Sequence, residues 1–220
     1  MISRKHQCIY IHIPKTAGTS IETKFDYHGE EEKRGWQDHR SLKHLQQAIW
    51  PLSRGQYSPA AFVKYANQRY KAGKMGFEFV SESEYQSYFK FAIVRNPWDR
   101  VYSWYRNIIR DQIHQQELGI PTDCDFSTFL DRHIDNWALE PQLFWLRDES
   151  GNVGLDYVGK FEELEKAFEV IGNTLGLDDK SLPKKLDSGK SDYRSAYDEQ
   201  GKRIVARKYA EEIELYHYVF

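Results

Sequence analysis

The chain has 220 residues, 40% of them hydrophobic and 15% aromatic, enough for one domain with a substantial core. A formal net charge of −2 and a pI near 6.5 exclude a general nucleic-acid binder, which needs a strong basic excess, but leave room for a local anion site. Mean hydropathy is −0.75, no apolar stretch approaches the ~20 residues that span a bilayer, and MISRKHQCIYIHIPK lacks a secretory signal pattern, so a cytoplasmic location without a membrane span is expected.

In chain order, Cys8 to Ile13 is β-branched and apolar and reads as a strand, with Gly18 to Phe25 as the helix after it. Asp26 to Gln37 is charged and reads as loop. Leu42 to Trp50 has helical spacing, stopped by Pro51, and Ser58 to Lys71 is a further helix. FKFAIVR, Phe89 to Arg95, is the strongest buried-strand pattern; Asn96-Pro97 breaks it and opens a helix to about Arg110. Phe126 to Trp137 reads as helix, Asp156 to Phe161 as a short strand, and Glu162 to Leu175 as an amphipathic helix. Ser181 to Arg194 reads as polar loop and Asp198 to Tyr216 as one C-terminal helix. Strands alternating with helices predict an α/β fold with a parallel sheet. Residues 1–220 form one domain, with an insertion over about 28–88 between the first two strands.

The first strand runs into PKTAGTS. A helix start preceded by a glycine-containing turn offers free N–H groups and a positive dipole end to an anion. Lys15 adds a charge, Thr16, Thr19 and Ser20 add hydroxyls, and the backbone of Ala17 and Gly18 can approach closely. A Walker A loop has its lysine after the second glycine; here Lys15 lies three residues before Gly18, so the ATPase pattern is not met. In FAIVRNPWDRVYSWY, Arg95 at a strand end can make a bidentate contact with a phosphate, and Ser103 lies about two helical turns on. Read alone, the segment also allows Arg95 to be a structural partner of Asp99.

PKTAGTS resembles the 5′-phosphosulfate loop, and RNPWDRVYS the 3′-phosphate motif, of sulfotransferases that use 3′-phosphoadenosine 5′-phosphosulfate (PAPS). DYVGKFEELEKAF and the ending YAEEIELYHYVF resemble later segments of the carbohydrate 2-O- and chondroitin-type group, which has many small bacterial members. The likeness covers most of the chain and is weakest over Asp26 to Tyr88. It implies a P-loop-NTPase-like central parallel sheet flanked by helices, PAPS as donor with PAP as product, no metal, and a hydroxyl acceptor such as a sugar or glycan. It further implies Lys15 at the leaving phosphate, and Tyr193 and Arg194 in a segment closing over the nucleotide. The other readings are a P-loop small-molecule kinase and a non-catalytic PAP-binding protein.

A sugar hydroxyl has a high pKa, so the reaction needs a placed base. His39, in QDHRSLKHL, occupies the position where the resembled enzymes often carry an active-site histidine. His44 is the reserve, facing elsewhere on the helix; Glu22 and Glu78 are weaker carboxylate candidates, and His12 reads as structural. Pro141-Gln142, in EPQLFWL, resembles a family position near the acceptor, which implies that Gln142 orients a hydroxyl; Trp137, Phe144 and Trp145 form either a sugar platform or core. Cys8 and Cys124 form no disulfide framework, and the scattered histidines offer no metal-ligand spacing.

Overall fold

A computed structural model describes residues 1–27, 37–183 and 192–220. Its sheet has four strands in the order β1 (Ile2–Ser3), β2 (Cys8–Ile11), β3 (Phe89–Val94) and β4 (Tyr157–Lys160). The last three are parallel, in a register that sets Tyr10 beside Phe91 and Ala92 beside Val158; only the two-residue β1 is antiparallel. The chain therefore has the expected α/β architecture. The helices are α1 (Gly18–Lys24), α2 (Leu42–Gln47), α3 (Pro59–Lys74), α4 (Glu82–Ser87), α5 (Pro97–Ile109), α6 (Gln112–Glu117), α7 (Phe126–His133), α8 (Leu143–Leu146), α9 (Leu164–Thr174), α10 (Glu199–Lys208) and α11 (Ala210–Tyr216).

The central strands are covered on both faces, which is why they read as continuous apolar runs. Alternate residues separate two cores. Ile9, Ile11, Ala92 and Val94 face one core, with Leu42, Val101, Phe129 and Trp145 from α2, α5, α7 and α8. Cys8, Tyr10, Phe91 and Ile93 face the other, against Ile21 of α1 and Phe168 and Ile171 of α9. Cys8 and Cys124 are both buried and free. Among the described residues, no helix is long and apolar enough to cross a membrane.

Several boundaries differ from the sequence reading. The helix expected over Leu42 to Trp50 ends at Gln47, and Pro51 opens a short 3-10 turn, Pro51–Arg54. Trp50 is extended, at φ −56° and ψ 123°, as a residue before proline must be. The helix from Phe126 stops at His133; Asn136 then caps a separate turn, Trp137–Leu139. The C-terminal helix is two helices, broken at Tyr209, whose ring is buried and whose hydroxyl donates to Leu139 O at 2.7 Å. Tertiary contact outweighs helix propensity there. The polar stretch before Asp198 carries a 3-10 turn, Tyr193–Ala196; its residues 184–191 lie outside those described, as do residues 28–36 of the first loop. β1, α4, α6 and α8 have no counterpart in the sequence reading.

β2 and β3 are neighbours and parallel, so both release their following loops at the same sheet edge. In open α/β sheets this carboxyl edge is where ligands bind. It brings Lys15 and Arg95, 80 positions apart, into one neighbourhood.

Candidate active site

The loop after β2 is held at four successive carbonyls. His39 Nδ1 donates to His12 O at 3.0 Å, and the Thr16 hydroxyl donates to Ile13 O at 2.9 Å. Arg100 Nε donates to Pro14 O at 3.2 Å, and Arg95 Nη1 to Lys15 O at 3.0 Å. These bonds hold Lys15 and Ala17 in the left-handed region, at φ 70° and 69°, which is strained for residues with a Cβ. Gly18 is required by packing. A Cβ there would lie 1.7 Å from His12 Nε2. Ala17, at the N-cap of α1, has no side-chain oxygen, so no side chain caps the first turn that carries Thr19 and Ser20.

The loop meets α5 along one row of side chains. Asp99, Ser103 and Asn107 are spaced by four and so share a face about 12 Å long. Arg95 Nε donates to Asp99 Oδ2 at 2.8 Å at one end, and Lys15 Nζ donates to Asn107 Oδ1 at 3.3 Å at the other. Ser103 lies between them, half-buried. The guanidinium of Arg95 also covers the Phe161 ring at 4.1 Å. Burial, with Arg95 and Arg110 nearby, lowers the Lys15 pKa to about 8. Three cations thus converge on this face, with Asp99 ion-paired to Arg95.

The remaining donor-side candidates divide. Thr19 Oγ1 accepts from Gln37 Nε2 at 2.9 Å, and Ser20 is half-buried on the first turn of α1. Thr16 is fully buried and its hydroxyl is spent on Ile13 O, so its side chain closes the loop and is not offered to a ligand. Tyr193 is buried against Tyr197 and Phe220, close enough to Asp99 for that carboxylate to raise its pKa further after burial has done so. Arg194 is exposed and lies over the Tyr193 ring at 4.7 Å. That segment therefore packs near the Arg95 end of the row.

On the other side of the loop is His39. Its bond to a carbonyl requires the proton on Nδ1, which leaves the lone pair on Nε2. Burial, then the neighbouring His12, lowers its pKa to about 3, so the ring is neutral at neutral pH. Trp145 Nε1 fixes the backbone by donating to His39 O at 3.1 Å. Asp38 does not orient this ring; it is buried and bonded to Arg40. The rings of His12 and His39 are 4.3 Å apart. His12 and Glu22 form a buried pair at 2.9 Å beneath the loop, a role for Glu22 that its place on α1 did not reveal.

Two further expectations are corrected. Gln142 is fully buried: its Oε1 accepts from Arg95 N at 2.8 Å, and its Nε2 donates to Arg95 O and to Glu212 Oε1, both at 2.9 Å. Every polar atom of the amide is used, so it positions Arg95 and cannot orient an acceptor. Glu78 Oε2 accepts from Arg4 Nη1 at 2.6 Å on an exposed surface, and serves as no base. His44 completes a capping box with Ser41, accepting from Ser41 N through Nδ1 at 3.3 Å, which leaves Nε2 alone for a ligand. Its ring meets Phe144 edge-on at 5.9 Å, and burial lowers its pKa.

Arg100 had no place in the sequence reading, because only the fold shows that one guanidinium holds two loops. Besides Pro14 O it donates through Nη2 to Ala138 O at 2.7 Å and to Glu140 O at 3.0 Å. Asn107 was likewise missed; its one available signal was its spacing of four from Ser103. Among the described residues, no group of three or more His, Cys, Asp or Glu side chains is placed to hold a metal.

No curated protein and no solved structure matches the chain. A family model described as "Sulfotransferase family" matches residues 1–219, spanning both loops and the α5 row. By that match the chain belongs to the sulfotransferase family and is a transferase of sulfuryl groups.

Proposed function

We propose that the chain transfers the sulfuryl group of PAPS to a carbohydrate hydroxyl, with Lys15 stabilising the leaving phosphate and His39 as general base. When bound, PAPS supplies an activated sulfuryl group on a nucleotide with phosphate at both ends of its ribose. The residues suit a ligand with an anionic group at each end. The observation that carries the reading is the meeting of Lys15 and Arg95 on one face of α5, where Arg95 Nη1 donates to Lys15 O and Lys15 Nζ to Asn107 Oδ1; burial first, and then the charges of Arg95 and Arg110, lower the lysine pKa to about 8. An anion there relieves the repulsion and restores the full ammonium charge.

In this reading Arg95 and Ser103 hold the 3′-phosphate, with Tyr193 and Arg194 beside them. Gly18, Thr19, Ser20 and the backbone of Thr16 and Ala17 hold the 5′ end. Lys15 Nζ neutralises the bridging oxygen as its bond to sulfur breaks and the electron pair passes to the phosphate. A new bond forms between the acceptor oxygen and sulfur, and the acceptor proton passes to His39 Nε2. The lone pair on Nε2 and the neutral ring suit that role. The donor's negative charge raises the His39 pKa toward a useful base strength when it binds. The insertion expected over about 28–88, within the single domain, contributes to the acceptor side through its described residues, with His44 acting through Nε2.

The test is calorimetry with PAP and with ATP and Mg²⁺, followed by transfer from labelled PAPS to a panel of glycans and alcohols. PAP should bind in the micromolar range and transfer should follow; His39→Asn, whose side-chain amide can still donate to His12 O, should lose at least ~10²-fold in turnover while retaining most of the PAP affinity. Tighter ATP·Mg²⁺ binding, or PAP binding with no transfer to any acceptor, overturns the reading in favour of a kinase or a non-catalytic protein.

A further inference from the structure

Trp137 is the residue that the chemistry above leaves unused. The residue is 53% exposed, although Ala138 and Leu139 beside it are fully buried. Leaving half an indole in water forgoes a large hydrophobic gain. The backbone beneath it is nevertheless fixed. Asn136 Oδ1 accepts from Ala138 N at 3.0 Å, and Leu139 O accepts from Tyr209 Oη at 2.7 Å. Arg100 holds Ala138 O and Glu140 O with the same guanidinium that holds Pro14 O of the donor loop. The distance between the indole and that loop is therefore set by one buried side chain.

Two aromatic neighbours flank the ring at steep angles. Its centroid lies 5.6 Å from that of His39 at an interplanar angle of 58°, and 6.3 Å from that of Trp104 at 73°. Neither neighbour lies parallel to it, and with the residue 53% exposed a large part of the indole is open to a ligand. Whatever covers that face sits next to His39. A pyranose presents an apolar C–H face that stacks on an indole, while its hydroxyls project from the ring edge toward hydrogen-bonding groups. The combination of a rigid, half-exposed indole and an adjacent imidazole with its lone pair on Nε2 fits that geometry.

We infer that Trp137 is the acceptor platform: a saccharide ring stacks on its exposed face and thereby presents one hydroxyl to His39. This rests on the reading of His39 as the base, and it adds a specificity-determining residue to it. Trp137 acts on acceptor binding and orientation, and leaves donor binding unchanged.

The experiment uses the whole chain with indole ¹⁵N labels, saturated with PAP. Of the six tryptophans, Trp137 is identified by the signal lost in Trp137→Phe. Methyl glycosides of glucose, galactose, mannose and N-acetylglucosamine are titrated in, with phenol as a comparison ligand. The Trp137 signal should move saturably with at least one glycoside, while exposed Trp50 stays still. Trp137→Ala should weaken that glycoside at least about tenfold, Trp137→Phe should retain most of the affinity, and PAP binding by calorimetry should stay within twofold. A Trp137 signal unmoved by every glycoside overturns the inference, as does a response to phenol alone. Loss of PAP affinity in Trp137→Ala also overturns it, by making the ring a structural prop. Failure of the wild-type chain to bind PAP removes the donor reading instead; the glycoside titration, repeated without PAP, then decides the platform on its own.

Discussion

The two sides of the site are built differently. On the donor side, four consecutive carbonyls from His12 to Lys15 are each tied to a side chain, and α5 meets them through residues spaced by four. On the acceptor side, His39, Trp137, His44 and Phe144 come from separate turns and short helices and meet through ring edges. The first side is fixed through its backbone, so under the proposed reading its geometry for phosphates is over-determined. On the other side, which that reading gives to the acceptor, the residues are held by long-range props, Trp145 behind His39 and Arg100 behind the turn of Trp137. Substitutions should therefore separate the two sides by what they damage.

Lys15→Ala gives the largest expected effect and tests the donor side directly. Turnover with PAPS should fall on the order of 10³-fold, in the range of a lost electrostatic stabiliser. Stability at pH 7 should not fall, because the folded state holds this charge at a penalty that lowers its pKa to about 8. Full turnover in the variant would remove Lys15 from the chemistry; a collapsed melting temperature would make it a structural residue.

Gln142→Leu comes next and tests whether the two sides share a prop. It strips Arg95 N and O of their side-chain partner and leaves the buried Glu212 carboxylate, whose pKa burial already raises, without its amide. Urea unfolding should show a loss of about 3 kcal/mol. In the folded fraction PAP affinity should drop while acceptor KM holds. A selective rise in acceptor KM, with stability intact, would restore Gln142 to the acceptor side.

The smallest effects are in pH dependence. With Lys15 near 8, the free protein is partly neutral there above pH 7.5, so PAP binding at pH 8.5 should draw in a fraction of a proton through Lys15, a contribution that vanishes at pH 6.5. Calorimetry in buffers of different ionisation enthalpy measures this, and Lys15→Met should abolish it; equal uptake in the variant would assign the proton elsewhere. His39 behaves in the opposite window. Between pH 6.5 and about 3 the unfolded chain protonates this histidine and the folded chain does not, so stability falls as pH falls. For the same reason kcat/KM for PAPS should show no acid limb attributable to His39 between pH 7 and 5; a limb near 6.5 that vanishes in a His39 variant would refute the burial argument.

Much of the donor side was legible because its physics is local. PKTAGTS and RNPWDRVYS each sit at a strand end followed by a helix, and two parallel neighbouring strands must release their loops together. What misled was side-chain direction. Thr16 and Gln142 have the chemistry of ligand-binding groups, and only packing shows that their polar atoms are spent inward. The same limit hid His12 and Glu22, which are ten residues apart but face each other where α1 folds back on β2.

By itself the sequence determined the α/β class and the two strand-to-helix junctions that carry Lys15 and Arg95, because strand period, helix starts and charged loop residues act over a few positions. Tertiary structure alone decided which nitrogen of His39 carries the proton, that Gln142 serves the core, and that Trp137 stands half in water beside that histidine. Those outcomes depend on partners 27 to 106 residues away, whose direction no local pattern encodes.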